Sequence, residues 1–339
     1  RVAGERFIPR RSHNNLDESL ESFVVRRLGQ EAFDKLVQPL VSGIWTADPR
    51  RLSMAAACPE FLKMEQDWGS LTKGEKKRAA LANDTSDSSG ARYGQFVSFK
   101  SGMQTLIDAL ESRLRNAGVL VVQDRVRSLQ RDGSEWQVAL GNQSIRADGV
   151  VLGVPASTAA TMVSTMSPNL SAELKMIEFS GAAVVSLGFD RRDVSHALQA
   201  AGMIIPKVAG KRILAASFSS SKFPGRAPSG AVLIRTFIGG ALDTSITALT
   251  DEEVIEKVLI DLRTTIGLHG SPSIVQVDRW HRSMPQYNLG HVERIKKIRQ
   301  AEGKLPFFAL AGSAYEGVGI PQVIESGQIA AARSITGLS

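Results

Sequence analysis

Two stretches of this 339-residue chain combine residue types that can do chemistry. The first is Leu310-Ala311-Gly312-Ser313-Ala314-Tyr315-Glu316-Gly317-Val318-Gly319-Ile320-Pro321, followed by a small-residue helical pattern over 323–333. Glycines at 312, 317 and 319 let the backbone approach a ligand closely. A helix opened by Pro321 offers unpaired N–H groups and the positive end of a dipole, which stabilise negative charge on a bound group. A strand-to-helix connection that needs glycine only for tight turning fits the same pattern. The second stretch is Arg279-Trp280-His281-Arg282-Ser283-Met284-Pro285-Gln286-Tyr287-Asn288-Leu289-Gly290-His291. Its rings and cations can line a site for an aromatic or anionic ligand, and they fit equally a strand end followed by a polar loop.

Other chemistries find little support. The five histidines, at 13, 196, 269, 281 and 291, show no pair at three- or four-residue spacing and no neighbouring cysteine, so no metal is expected. There is no Gly-x-Ser-x-Gly elbow, no P-loop and no Gly-x-Gly-x-x-Gly after a strand. Gly239-Gly240 follows a strand pattern and reads as a close backbone contact. One cysteine, Cys58, excludes an intramolecular disulfide framework and suits a reducing compartment. A hydrophobic content of 43% with 22% charged residues specifies a folded protein. No apolar run is long enough to span a bilayer. The net charge of +7 favours an anionic partner: nucleic acid, an acidic membrane surface or a carboxylate-bearing substrate.

The elements that must position these stretches follow from periodicity. Residues 14–38 read as helical, with capping-box spacing at Asn15 and Glu18, a break at Gly29 and a stop at Pro39. Residues 53–63 form a second helical pattern. Residues 72–92 read as a loop, its basic run Lys73, Lys76, Lys77 and Arg78 more in keeping with a solvated segment than with a headgroup contact. Ser101 and Gln104 open a helix with Met103, Leu106, Ile107, Leu110 and Leu114 on one face, ended by Gly118. Strands are predicted over 119–122, 125–130, 135–140, 149–154, 182–189, 212–217, 231–238, 274–280 and 307–311. A helix capped by Thr250 and Glu253 runs to Ile266. Helix followed by meander and buried strand gives an α+β or α/β organisation.

Taken together, the motifs resemble one family. Met284-Pro285-Gln286-Tyr287 with Gly290-His291, and Tyr315-Glu316-Gly317-Val318 with Glu325-Ser326-Gly327, are similar to segments of the oxygen-dependent protoporphyrinogen oxidases. Arg26-Arg27-Leu28-Gly29 with Glu31, Gly43-Ile44-Trp45 and Leu52-Ser53-Met54 resemble that family's helical membrane-binding insert. Phe99-Lys100-Ser101-Gly102-Met103 with Leu106 resembles its Gly-Gly-Leu helix start.

The resemblance implies an FAD-linked, amine-oxidase-like fold. It divides the chain into a helical insert (1–95), two segments of an incomplete FAD-binding domain (96–154 and 304–339) and a mixed-sheet substrate domain (155–303). The family's βαβ unit, with its glycine-rich pyrophosphate loop, is expected before Arg1, so the chain is read as a piece of a longer protein. The implied activity is oxidation of protoporphyrinogen IX or coproporphyrinogen III to the porphyrin, with O2 as acceptor and hydrogen peroxide as product, in haem biosynthesis. Carried over residue by residue, Val126, Trp280, Gly312, Val318, Gly319 and Ile320 contact FAD, and Gly43, Gly202, Ile204 and Phe237 line the porphyrinogen pocket. None is an obvious acid or base. The expected setting is the cytoplasm, with peripheral membrane contact through residues 14–70 and Arg26, Arg27, Arg50 and Arg51, no nucleic acid, and room for a homodimer. The rival readings are a non-catalytic porphyrin- or membrane-binding fragment and a related flavin-dependent amine oxidase or desaturase.

Overall fold

The computed structural model describes residues 2–11, 17–83 and 97–336. Asn15, part of the expected first cap, lies outside the described residues. Helix α1 (Leu20–Leu28) is capped instead by Ser19, whose hydroxyl accepts from Ser22 N–H, and it stops at Gly29 with φ 94°. Helix α2 (Gln30–Ala32) passes through a π-turn (Phe33–Val37) into α3 (Gln38–Trp45). Pro39 was expected to end this helix, but the chain stays helical to Trp45. A proline clashes with the carbonyl four residues back in a regular α-turn. The wider turn before it accommodates the ring, and Pro39 sits where the next helix starts.

Helices α4 (Met54–Ala57), α5 (Pro59–Trp68) and α6 (Leu71–Asn83) complete the helical part. Helix α6 carries the basic run that reads as a loop in sequence. Ser70 caps it by accepting from Lys73 N–H at 3.2 Å, while the buried Glu5 carboxylate takes the Ser70 hydroxyl at 2.7 Å and Leu71 N–H at 3.0 Å. The core here is Leu20, Phe23, Val24, Phe33, Val41, Leu52 and Tyr287. Two arginines expected to meet headgroups are already committed: Arg27 is fully buried against Glu5, and Arg26 bridges Glu18 and Glu65. Removing either from its carboxylates would leave buried charge unpaired.

Helix α7 (Gln104–Asn116) exposes Ile107, Leu110 and Leu114, and among the described residues nothing covers that face. Residues 119–122, predicted as a strand, pair with no described residue. An extended segment becomes a strand only by exchanging hydrogen bonds with a neighbour. An antiparallel meander follows: β1 (Ser128–Asp132), β2 (Glu135–Ala139) and β3 (Ser144–Ala147). The strand predicted over 125–130 therefore begins three residues late. Strand β4 (Val150–Leu152) leads to α8 (Ala156–Met162) and α9 (Pro168–Lys175).

Strands β5 (Phe179–Asp190), β6 (Gly202–Ile204), β7 (Ile213–Phe218), β8 (Ala231–Gly239) and β9 (Ile274–Pro285) form one antiparallel sheet, in the order β6-β7-β8-β5-β9. Helix α10 (Ser219–Lys222) follows β7, and α11 (Asp251–Ile266) packs on one sheet face with the predicted capping box in place. Helix α12 (His291–Glu302), β10 (Phe308–Leu310) and α13 (Ile320–Thr336) close the chain. Strand β10 pairs with β4, and α8, α9 and α12 share a core with both strands around Trp136, Leu170, Ile298 and Leu310. Among the described residues no helix is long and apolar enough to cross a membrane.

Candidate active site

Strands β4 and β10 run parallel, with Val150 opposite Phe308 and Leu152 opposite Leu310. Ligands of helix-covered parallel sheets bind beyond the carboxyl ends of the strands. The residues that follow both strand ends, Gly153-Val154-Pro155 and Ala311-Gly312-Ser313-Ala314, line one cleft of about 270 Å³ together with Phe179, Ser283 and Val323. Gly312 adopts φ 129°, and a β-carbon placed on it would point into open space. Its N–H is held by Ser326 Oγ at 3.1 Å. Further along, the N–H groups of Val318, Gly319 and Ile320 meet no acceptor among the described residues, at the start of the 17-residue helix α13.

The loop between is held from below. Tyr287 Oη donates to Ser313 O and accepts from Gly317 N–H, both at 2.8 Å. The His291 ring stacks on Tyr287 with centroids 3.9 Å apart, and its Nε2 lies 3.0 Å from Tyr315 O. The Tyr287 and His291 rings of the second motif, read in sequence as candidates to line a ligand site, therefore brace the glycine-rich loop of the first.

Burial pushes the His291 imidazole down to about 4, outweighing Tyr315 O, which favours the proton; Arg294, Asp17 and Glu316 are the charged groups that act on it. The ring is neutral at pH 7, and Nε2 carries the proton that Tyr315 O accepts. Because the folded value lies below the unfolded value of about 6.5, unfolding takes up a proton between those limits. Stability from this site is complete above pH 6.5 and falls by ~3 kcal/mol as pH drops toward 4. His291→Phe, which cannot titrate, is expected to be the less stable protein at pH 7.5, with the gap to wild type narrowing at pH 4.5. Melting temperatures across that range check this; a constant gap would contradict the neutral assignment.

The second wall is the face of the five-stranded sheet opposite α11. Cross-strand pairing puts Ile204, Ala215, Phe237, Val184 and Asp278 in one row across it. Trp280, Ala182 and Gly239 form the next row, toward the end where Phe179 reaches the cleft. Helix α3 covers part of this face, since a β-carbon on Gly43 would lie 3.8 Å from that of Ala215. Gly43, Gly202, Ile204, Phe237 and Trp280 are thus brought together from four separate elements. Gly202 also has a packing reason to be glycine: a β-carbon there would run into Ala216 O and approach Ser217 Cα to 3.0 Å. Gly312 lines the cleft and Val318 packs on the helical core beside Tyr287. Gly319 and Ile320 lie at the start of α13, where a β-carbon on Gly319 would meet the Gln322 carboxamide. Val126 is half-buried two residues before β1, away from these two walls in sequence.

Residues 2–335 match the family profile described as flavin containing amine oxidoreductase. The chain belongs to that family. The Bacillus subtilis protein named coproporphyrinogen III oxidase is 35% identical over 332 residues, 97% of this chain and 70% of the relative. The Bos taurus protein named protoporphyrinogen oxidase is 31% identical, covering 94% and 69%. A solved structure from Exiguobacterium sp. 255-15, provisionally assigned as a protoporphyrinogen oxidase, superposes with a TM-score of 0.80 at 25% identity, covering 98% of this chain and 71% of that one. Reduced UDP-galactopyranose mutase, with a TM-score of 0.72 at 13% identity, shares the fold.

The cofactor of this amine-oxidase-family protein is FAD, and the cleft fits it. Open space above Gly312, free N–H groups and a positive helix end suit a flat ring that gains negative charge on reduction. Gly153, Pro155, Phe179 and Ser313 were not among the expected cofactor contacts, although they line the same cleft. The sequence signal for them was a short apolar strand ending in Gly-Val-Pro, informative only once β10 is known to lie parallel beside it.

Proposed function

We propose that this chain catalyses the FAD-dependent oxidation of a porphyrinogen to the porphyrin, the six-electron step of haem biosynthesis, using three O2 and releasing three H2O2. The observation that carries this reading is the apolar sheet face whose end adjoins the flavin cleft, in a chain whose relatives are named for that reaction. A flat macrocycle needs flat apolar walls, and Phe237, Val184, Ala215 and Ile204 offer one. Trp280 stands in the row nearer the cleft and would border the ring edge. FAD, when bound, supplies the acceptor for hydride leaving carbon and passes the electrons to O2. Across the wall's row the one carboxylate is Asp278, held by Gln276 Nε2 at 2.9 Å. The residues that offer the apolar wall, Phe237, Val184, Ala215 and Ile204, carry no acid or base, so their contribution is to orient the substrate and exclude water.

Peripheral membrane contact belongs to the same proposal and would place the protein at a cytoplasmic membrane surface. Leu36, Leu40 and Ile44 stand exposed at four-residue spacing along α3 and the turn before it, a stripe suited to shallow insertion into a bilayer.

The FAD-loaded protein is expected to convert coproporphyrinogen III or protoporphyrinogen IX to the fluorescent porphyrin with three peroxides per turnover. Phe237→Ala should raise KM by about 10- to 100-fold with kcat little changed, the cost of one lost aromatic wall. A protein that oxidises putrescine or another amine and leaves both porphyrinogens untouched would sink the reading.

A further inference from the structure

Five arginines between residues 155 and 303 are already paired: Arg192 with Asp190, Arg212 with Asp243, Arg279 with Asp251, Arg294 with Glu173 and Arg299 with Glu302 and Glu316. Arg235 is not. It is exposed, and among the described residues no carboxylate lies within ion-pair distance of it. Its place in the sheet is specific. On β8 it sits two residues beyond Phe237, on the same face, with Ser186 opposite on β5 and Ser217 opposite on β7.

Strand geometry orders this face by distance from the flavin cleft. Phe179 lines the cleft, and the rows that follow along the strands are Ala182–Gly239–Trp280, then Val184–Phe237–Asp278, then Ser186–Arg235–Gln276. From the first of these rows to the last is about 13 Å of strand. The Arg235 side chain does not stand away from the wall. Its guanidinium carbon lies 5.9 Å from the Phe237 ring centroid, leaning over the apolar surface from its far end. Laid on an aromatic ring, a guanidinium keeps its edge donors free for a carboxylate.

We infer that Arg235 binds a carboxylate of the substrate at the end of the pocket remote from the flavin. This rests on the porphyrinogen reading and adds to it a second requirement, that the macrocycle carry an acid side chain on its distal edge. The apolar wall holds the ring system, and Arg235 fixes which edge faces away from the flavin. The two flanking serines add short hydroxyl donors and no opposing charge.

The test uses the FAD-loaded protein, with Arg235→Leu and Arg235→Lys. Under anaerobic conditions, binding of coproporphyrin III, a tetra-acid, and of its tetramethyl ester is followed by fluorescence titration. Arg235→Leu should weaken the acid by about 10- to 100-fold, the loss of one charge-assisted hydrogen-bonded pair, and leave the ester within a factor of two. Arg235→Lys should recover most of the acid affinity. In turnover with coproporphyrinogen III the loss should fall on KM and spare kcat. Equal effects on acid and ester, or no effect on either, would overturn the carboxylate role while wild-type turnover leaves the porphyrinogen reading intact. A wild-type protein that binds neither porphyrin and oxidises no porphyrinogen overturns both.

Discussion

The Gly312→Val protein is expected to bind FAD at least about a hundredfold more weakly than wild type while remaining folded. Two effects act at this residue. Its φ of 129° is a backbone conformation that a β-branched residue does not adopt without strain of order 1–3 kcal/mol. Its missing β-carbon points into the cleft, where no protein atom lies within 4 Å, so the valine methyls would occupy the space the flavin needs. Two further variants separate these effects. Gly153→Val fills the same cleft from the residue after β4, at a position with no positive φ, and it should also lose FAD. Gly133→Ala, at φ 60° in the β1–β2 turn with open space around it, carries backbone strain alone and should lower the melting temperature while keeping the flavin. Flavin absorbance per chain and thermal melts of the three proteins check this. A fully flavinylated Gly312→Val protein would show that the cofactor lies elsewhere.

Gly319, another of the expected FAD contacts, gives a weaker test. A β-carbon there meets the far end of the flexible Gln322 side chain, which can move aside. Nor does Gly319 have a positive φ, so backbone angle does not explain its identity either. The conformational demand in this loop falls on Gly312 and Gly317, at φ 129° and 155°, and of these two Gly312 is the one whose β-carbon would point into open space.

Tyr287→Phe is expected to cost about 2–3 kcal/mol of stability and to weaken FAD binding by about 10- to 100-fold. The hydroxyl is the one group that bonds both Ser313 O and Gly317 N–H, clamping the loop at two points four residues apart. Without it, a largely buried donor and acceptor lose their partner, and the loop can drift from the cleft. Burial also holds the phenol well above its usual range, so the clamp keeps its proton across the working pH range. Phenylalanine preserves the stack on His291 and the tilted contact with Trp45 at 5.2 Å, so the variant isolates the hydroxyl. Flavin retention on dialysis and the thermal midpoint are the measurements. Lowered stability with unchanged FAD affinity would mean that the clamp serves folding alone.

Several features of this protein are set by sequence within a few residues of where they act. The capping box of Thr250 and Glu253, the strand patterns of β5, β7, β8 and β9, and the glycine-rich turn before α13 all arise from local periodicity and local hydrogen bonding. Strand alternation likewise fixes that Arg235 and Phe237 share a face. Other features depend on partners that a linear reading does not contain. The basic run over 73–78 is helical because Ser70 and the distant Glu5 satisfy its first turn, and Arg26 and Arg27 turn inward because Glu5, Glu18 and Glu65 converge on them. Residues 119–122 have strand composition and no strand, for want of a neighbour. The tyrosine and histidine of the Pro-Gln-Tyr and Gly-His segment brace the glycine-rich loop, which follows only from how α12 packs beneath it. The apolar wall of the five-stranded sheet is the clearest case. Each of its residues occupies an ordinary strand position, and the wall exists because antiparallel register places Ile204, Ala215, Phe237 and Val184 side by side. Local energetics choose the face to which a side chain points, and only long-range pairing chooses its neighbours there.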